Sequence, residues 1–459
     1  MLERIPLGDD DVQVVAPVRR RDRTLVAACL VGLPAVVPSA LHAISGAGRY
    51  VDDWAFIAAA QLDGAVASRE EWSARPGQAL IHTLEFGLLG DHIELLVLLL
   101  GVVNALASVL LVQLLKPAVG LPTALAAGLV FSVLPNRGAT SLWASTLPNV
   151  VSLCLVLALG YFSRWRRGAV LAAAVLTYEG CAALGLGVAA WLAFRGATGT
   201  KERARAFLIA TSPALAAIVY AKLATPKTEG LRPFFRVTGV AASHFGIGVW
   251  PRPLLCFALL LVAALAWSVG LLVLPGFHAG RPERLVVSGF ISLFLGILPF
   301  IAVGFPMATD GMLDRANIFG NVGLAMLIVG AVSLVARSIP SLQAGIIGAL
   351  VIVLGYGTHA DLRDARQARR DGDQLLTMFR ACLDRMSPTE PVLVQPVPNR
   401  GGWGAFAEDY DISAAFRLND PLRRPWRART FATEEEFIAR SDDSTTNTFI
   451  HHGPRAGCE

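Results

Sequence analysis

Two adjacent carboxylates, Asp52 and Asp53, stand in the run Tyr50-Val51-Asp52-Asp53-Trp54, shortly after an apolar stretch. An aspartate there can accept a bond from a free backbone N–H at the start of a helix. It can equally act as a general base, taking the proton of an attacking hydroxyl. The segment continues with Arg75-Pro76, His82, Glu85, Asp91 and His92, a polar set between two apolar runs. His82 and His92 lack the partner spacing of a zinc site, and each also fits a solvated loop. Glu179, in Tyr178-Glu179-Gly180, interrupts apolar sequence, where an ionised group needs water, a partner or a ligand. Arg137 and Arg315 lie in short connections, Leu134-Pro135-Asn136-Arg137-Gly138 and Asp314-Arg315-Ala316-Asn317. Either guanidinium can snorkel to an interface or clamp a phosphate with its forked donors. No Gly-rich phosphate loop, Ser/His/Asp set or Cys-x-x-Cys pair is present, which removes most soluble enzyme classes, and no metal site is expected.

The elements that must position these groups are membrane helices. Of 459 residues, 54% are hydrophobic and 16% charged, with a mean hydropathy of +0.54, too apolar for a soluble fold to hide. Uncharged runs at 24–44, 95–115, 253–275 and 318–336 each approach the ~20 residues that span a bilayer. The first follows Arg19–Arg23 and is too long for a signal peptide, so it reads as an uncleaved span. The net charge of +5 resides in short clusters between apolar runs, which argues against nucleic acid. Only 4 of the 40 basic residues are lysine, a bias expected of a GC-rich bacterial genome.

Basic residues concentrate in short cytoplasmic loops. This rule puts 1–23 inside, 45–94 outside, Lys116 inside, Arg137 outside, and Arg164, Arg166 and Arg167 inside. The stretch 168–194 reads as a hairpin with Glu179 at its outer tip, because that returns Arg195, Lys201, Arg203 and Arg205 to the cytoplasm. Later spans near 206–223, 253–275, 285–304, 318–336 and 341–357 bring the total to about eleven and leave the C-terminus outside. The expected fold is thus an α-helical polytopic membrane protein. A cytoplasmic tail (1–23) precedes a transmembrane domain (24–357) with a large first outer loop (45–94) and an exoplasmic C-terminal region (358–459). In that last region a helix-like stretch, 373–386, and a strand-like run, 392–397, suggest a small α/β appendage. Cys382 and Cys458 are the two cysteines outside apolar runs, and an oxidising exterior would pair them. The stretch Arg232-Pro233-Phe234-Phe235-Arg236 has the composition of a segment resting on membrane lipid headgroups.

An acidic pair soon after the first span, in a large first outer loop, resembles the GT-C superfamily of integral membrane glycosyltransferases, which use polyprenyl-phosphate sugars. Arg75-Pro76, Asp91-His92 and Val103-Asn104-Ala105-Leu106 are similar to the approach to the second helix in the branch related to protein O-mannosyltransferases. Leu134-Pro135 leading to Trp143 and Pro148 resembles that branch's third-to-fourth helix connection. Tyr178-Glu179 stands where a Lys-Glu pair often occurs, and Asp314-Arg315 where a Glu-Arg pair precedes a late helix. The likeness covers 24–357; Asn136 departs from a histidine often seen there, and Tyr178 from the lysine.

The resemblance implies an inverting transfer at the outer face of the plasma membrane, in which an acceptor attacks the anomeric carbon of a lipid-linked sugar. The phosphate leaving group is already a stable anion, so one carboxylate base suffices. On this reading Asp52 or Asp53 is the base, and Arg75, Arg137 or Arg315 steadies charge on the departing phosphate. His82, His92 and Glu179 are further site candidates. The partners implied are a polyprenyl-phosphate-linked sugar donor and a glycan, lipid or protein acceptor. No cofactor is called for, and a need for a divalent cation stays open. The competing readings are a transporter or flippase that couples ions through Asp52, Asp53 and Glu179, and a non-catalytic scaffold of the same architecture. Transporters favour ionisable groups at mid-membrane and internal repeats, whereas these carboxylates gather at one face.

Overall fold

The computed structural model describes residues 21–64, 69–90, 92–135, 137–195, 199–224, 282–303, 312–386, 392–394, 403–406, 409–430, 448–451 and 457–458. The span expected at 253–275 and the stretch at 232–236 lie outside these residues. The described chain is predominantly helical. Among the described residues, five helical stretches are long and apolar enough to cross a membrane: Ile93–Val119, Ala144–Tyr161, Pro282–Phe300, Asp314–Val335 and Pro340–Cys382. Their lipid-directed surface shows in the large apolar side chains left exposed, among them Leu95, Val102, Phe290, Ile352 and Val353. The protein is a helical membrane protein.

Helix α1 (Arg21–Ile44) contains Pro34 and Pro38. After it come α2 (Asp52–Ala58), α3 (Arg69–Ala74) and α4 (Pro76–Leu89), which form a cap of short helices. Helix α5 (Ile93–Val119) then packs along α1, with Gly32 against Ala105 and Gly101 against Ser39. Small residues at such a contact let the backbones approach, since lipid supplies no hydrophobic drive between helices. Helices α6 (Leu121–Val133), α7 (Ala139–Leu142) and α8 (Leu147–Leu157) complete the first half.

Helices α9 (Arg164–Thr177) and α10 (Ala182–Arg195) are 14 residues each, about 21 Å at 1.5 Å per residue, and neither alone reaches across ~30 Å of hydrocarbon. They fold back on each other around the turn Glu179–Cys181, with Gly185 facing Leu171. Helix α11 (Thr200–Ala224) lies against α9, where Gly168 faces Pro213. Helices α12 (Pro282–Val303) and α13 (Ile318–Val335) pack backbone to backbone: a Cβ on Gly323 would overlap the backbone of Leu293, and one on Gly296 that of Gly320.

Helix α14 (Pro340–Cys382) departs from the expected pattern of a span ending near 357 and a separate helix at 373–386. It is one helix of 43 residues. No proline interrupts its polar part, and i,i+4 contacts such as Gln367 to Asp371 (3.0 Å) and Arg369 to Asp373 (3.3 Å) carry the helix out of the apolar region. Beyond it lie β1 (Val392–Val394), α15 (Asp409–Asn419), β2 (Ala428–Thr430), β3 (Thr448–His451) and β4 (Gly457–Cys458). The sheet order is β2-β1-β3-β4, with β1 parallel to β2 and β3, and β4 antiparallel to β3. The strand-like run expected over 392–397 is a strand through Val394, and its remainder lies outside the described residues. Phe379 stacks on Phe416 at 3.9 Å with Trp426 edge-on at 5.2 Å, and Trp54 of α2 enters the same buried cluster. Through Trp54 the appendage is packed onto the cap. Cys382 is disulfide-bonded, and β4, the strand bearing Cys458, lies against α14, but the Cys458 side chain is outside the described set.

Candidate functional site

The acidic pair is presented by a turn held from several sides. Val51, a β-branched residue, adopts φ 39°, a conformation that costs energy and persists only where surroundings enforce it. Its N–H donates to the Ala405 carbonyl (3.1 Å), and the Tyr50 hydroxyl donates to the Ala365 carbonyl (3.0 Å). Neither aspartate caps α2 in the usual way. Val51 is the N-cap and makes no side-chain cap bond, while Asp52 and Asp53 fill the first turn.

The two carboxylates have different surroundings. Asp53 is fully buried and accepts the Tyr50 N–H (3.1 Å), the Ser145 N–H (3.1 Å) and the Ser145 hydroxyl. Burial pushes its carboxyl up to about 7, against the opposing pull of those three bonds. It ties the turn before α2 to the connection between α7 and α8. Asp52 keeps about 30% of its side chain exposed. One oxygen accepts the Tyr410 hydroxyl (2.6 Å), and the other lies 3.9 Å from the Arg315 guanidinium, which rests over the Trp143 ring at 4.9 Å.

Arg315 is set by its neighbour. Asp314 is buried and accepts the N–H groups of Gly138 (2.6 Å) and Ala139 (2.9 Å) at the start of α7, which fixes the helical turn Met312–Asn317. Across from it, Arg75 pairs with Glu179 at the tip of the α9–α10 hairpin. The Arg75 guanidinium stands over the Tyr178 ring at 5.7 Å, and Tyr178 interacts electrostatically with both Arg75 and Arg315. Tyr178 also stacks on Phe319 at 5.9 Å. The structure therefore brings together Asp52, Arg315, Arg75 and Glu179 around Tyr178, from four separate parts of the chain. The arrangement offers two partly exposed carboxylates, Asp52 and Glu179, each beside one cation, a layout that can accept a proton at Asp52 while Arg315 holds an anion.

Other candidates fall elsewhere. Arg137, expected to reach a phosphate, is 1% exposed; it donates to the Phe131 carbonyl (2.7 Å) and to Asn104, with its guanidinium 4.7 Å over Phe131. Burial lowers it to about 10. Its role in this structure is a strut joining α5, α6 and the start of α7. His82 is buried under Phe56 (4.1 Å), with Nε2 3.4 Å from the Ser145 carbonyl and 3.7 Å from Glu85. Glu85 is itself buried, and burial together with the nearby Asp53 charge raises its carboxyl well above the ordinary range. His92 is exposed just before α5 and makes no side-chain cap bond. Among the described residues no three His, Cys, Asp or Glu side chains converge as a metal site.

Three residues absent from the sequence reading complete the geometry: Ser145, Tyr410 and Tyr178 in its bridging role. Ser145 is one polar residue in an uncharged connection, and Tyr410 lies more than 300 residues from Asp52, so neither carries a local signal. Tyr178 stands out in the sequence as the residue at the lysine position of the resembled Lys-Glu pair, with nothing local to mark its contacts to Arg75 and Phe319. Compared with known proteins, the chain matches no family model and no curated sequence.

Proposed function

We propose that this protein is an inverting glycosyltransferase that moves a sugar from a polyprenyl-phosphate donor to an acceptor at the outer face of the membrane, with Asp52 as the general base. One observation carries the reading: Asp52 is the partly exposed member of the acidic pair and lies 3.9 Å from Arg315, with the Arg75–Glu179 pair reached through Tyr178. Transfer from a lipid phosphate needs a carboxylate to take the acceptor proton and cations to steady the departing phosphate. Both are present in one cluster. The bond from the acceptor oxygen to the anomeric carbon forms as the bond from that carbon to the phosphate oxygen breaks, the proton passes to Asp52, and the lipid phosphate leaves as an anion. Asp53 is a positioning residue. Its bonds to Tyr50 and Ser145 hold the turn that presents Asp52. Tyr410 orients the Asp52 carboxylate from the appendage.

The motif order that resembles GT-C glycosyltransferases supports the same reading, as does the alternation of basic clusters that puts this cap outside and makes about eleven spans. The test is transfer from a panel of polyprenyl-phosphate sugars by purified protein in lipid nanodiscs, with Arg315→Lys alongside. Lysine retains charge but loses the fork, so donor use should fall at unchanged folding. Absence of transfer with every donor, together with pH-dependent substrate flux in proteoliposomes, would favour a transporter instead.

A further inference from the structure

A second charged feature adjoins the turn that presents Asp52. A cleft of about 210 Å³ opens between the segment after α1 (Ala47, Arg49), Trp54 of α2, the start of α5 (Glu94) and the outer part of α14 (Arg369, Asp373). Its charges are not all paired internally. Arg369 bonds the Gly46 carbonyl and lies 3.3 Å from Asp373. Arg49 and Glu94 have no ion-pair partner among the described residues, although both line the same cleft. Two donors on lining residues, Arg49 Nε and Trp54 Nε1, are buried without a hydrogen-bond partner among the described residues, and Trp54 is only 5% exposed. Buried donors left in that state call for an acceptor.

The chemistry of that ligand follows from the lining. A bare anion would suit Arg49 and the indole N–H but would meet Glu94 and Asp373 of like charge. A bare cation has the opposite difficulty. A zwitterion satisfies both, with its anionic group on Arg49 and its cation on Glu94. The Trp54 ring is engaged by Arg49 at 5.3 Å and by Phe406 at 5.8 Å, so it is not an open platform for a sugar face or a quaternary ammonium. Glu94 is a hydrogen-bond acceptor, which favours a primary ammonium with its three donors.

Position adds the remaining part. Ile44 (85% exposed) and Leu41 (47%) on α1, and Leu95 (49%) and Leu99 (38%) on α5, continue directly from the lining residues Ala47 and Glu94. These are the ends of two apolar helices, which the alternation of basic clusters puts at the outer face, where acyl chains run beneath a headgroup. We infer that this cleft binds a zwitterionic phospholipid headgroup carrying a phosphate and a primary ammonium, seated on Arg49 and Glu94 with its chains along α1 and α5. The proposal is independent of the glycosyl-transfer reading.

Native mass spectrometry of the full chain, released from membranes and offered equal phosphatidylethanolamine, phosphatidylcholine and phosphatidylglycerol, tests it. One phosphatidylethanolamine should be retained in preference to the other two. Glu94→Gln and Arg49→Gln should each lower its occupancy by about tenfold, the loss of one charge-assisted bond, whereas Arg337→Gln on an exposed surface should not. Glu94 is exposed, so its variant keeps the test sound if Arg49→Gln misfolds. Equal retention of the three lipids, or wild-type retention of phosphatidylethanolamine in Glu94→Gln, would overturn the inference. So would displacement by soluble phosphoethanolamine at concentrations comparable with the lipid, because the site would then read a small zwitterion and not a membrane lipid.

Discussion

Replacing Asp53 by asparagine separates its positioning role from its charge. The folded carboxyl is raised from an ordinary 3.8 to about 7 by burial. The folded state therefore holds a proton that the unfolded chain releases between about pH 4 and 7, and folding stability is highest below that window and falls as pH rises through it. At ~1.4 kcal/mol per tenfold, the full loss approaches roughly 4 kcal/mol, of which about 2.5 kcal/mol falls between pH 5 and 8. Asparagine removes this dependence. Its carbonyl can keep the two Ser145 bonds, but its amide then faces the Tyr50 N–H, donor against donor, at a cost of ~1–3 kcal/mol. Asp53→Asn should therefore melt below wild type at pH 5 and draw level with it or pass it by pH 8. The relative change should be a few degrees in detergent-solubilised protein followed by intrinsic fluorescence. Glu85→Gln serves as a control, since Glu85 contributes a slope of the same sign. Parallel melting profiles for wild type and Asp53→Asn across this range would refute the argument that the Asp53 carboxyl is held high by burial.

Further expectations follow from the same contacts. Arg137→Gln should lower thermal stability by ~2–4 kcal/mol, because two bonds to a buried guanidinium are lost; unchanged melting would contradict the strut assignment. Tyr410→Phe should leave melting within ~1 kcal/mol of wild type and reduce sugar transfer roughly tenfold, since one bond to Asp52 is lost at a partly exposed site. Equal transfer would detach the appendage from the chemistry. Gly323→Val should abolish recovery of folded protein by size exclusion, because a branched side chain cannot occupy the α12–α13 contact. Single cysteines at Ser163 and Leu422, in a chain cleared of free thiols, test orientation: an impermeant reagent on intact cells should label only Leu422→Cys, and labelling at Ser163→Cys would reverse the assigned sidedness.

What could be read in advance follows from where polar groups are affordable. Charged residues between uncharged runs must find water or partners, so Asp52, Arg75, Glu179 and Arg315 stand out in the sequence. Their grouping does not, because the Arg75–Glu179 pair joins residues 104 apart and depends on how the α9–α10 hairpin packs against the cap. Arg137 shows the converse. In a connection flanked by Pro135 and Gly138 it reads as exposed, yet Asn104, a polar residue inside the apolar run of α5, supplies a buried partner. Asn104, legible in the sequence only as part of Val103-Asn104-Ala105-Leu106, was the available signal. The division of labour within the acidic pair was also hidden, since it rests on Ser145 lying against Asp53 and Tyr410 against Asp52. The continuous α14 was obscured by the change from apolar to polar composition after Gly357, which resembles an element boundary when periodicity alone is followed.

Single-turnover sugar transfer by Asp52→Asn, with donor binding measured on the same samples, asks whether Asp52 is the base of a lipid-phosphate glycosyl transfer. Transfer should fall by ~10²–10⁴-fold, while donor affinity stays within about threefold of wild type because Arg75 and Arg315 are untouched. Wild-type transfer by Asp52→Asn would contradict that role.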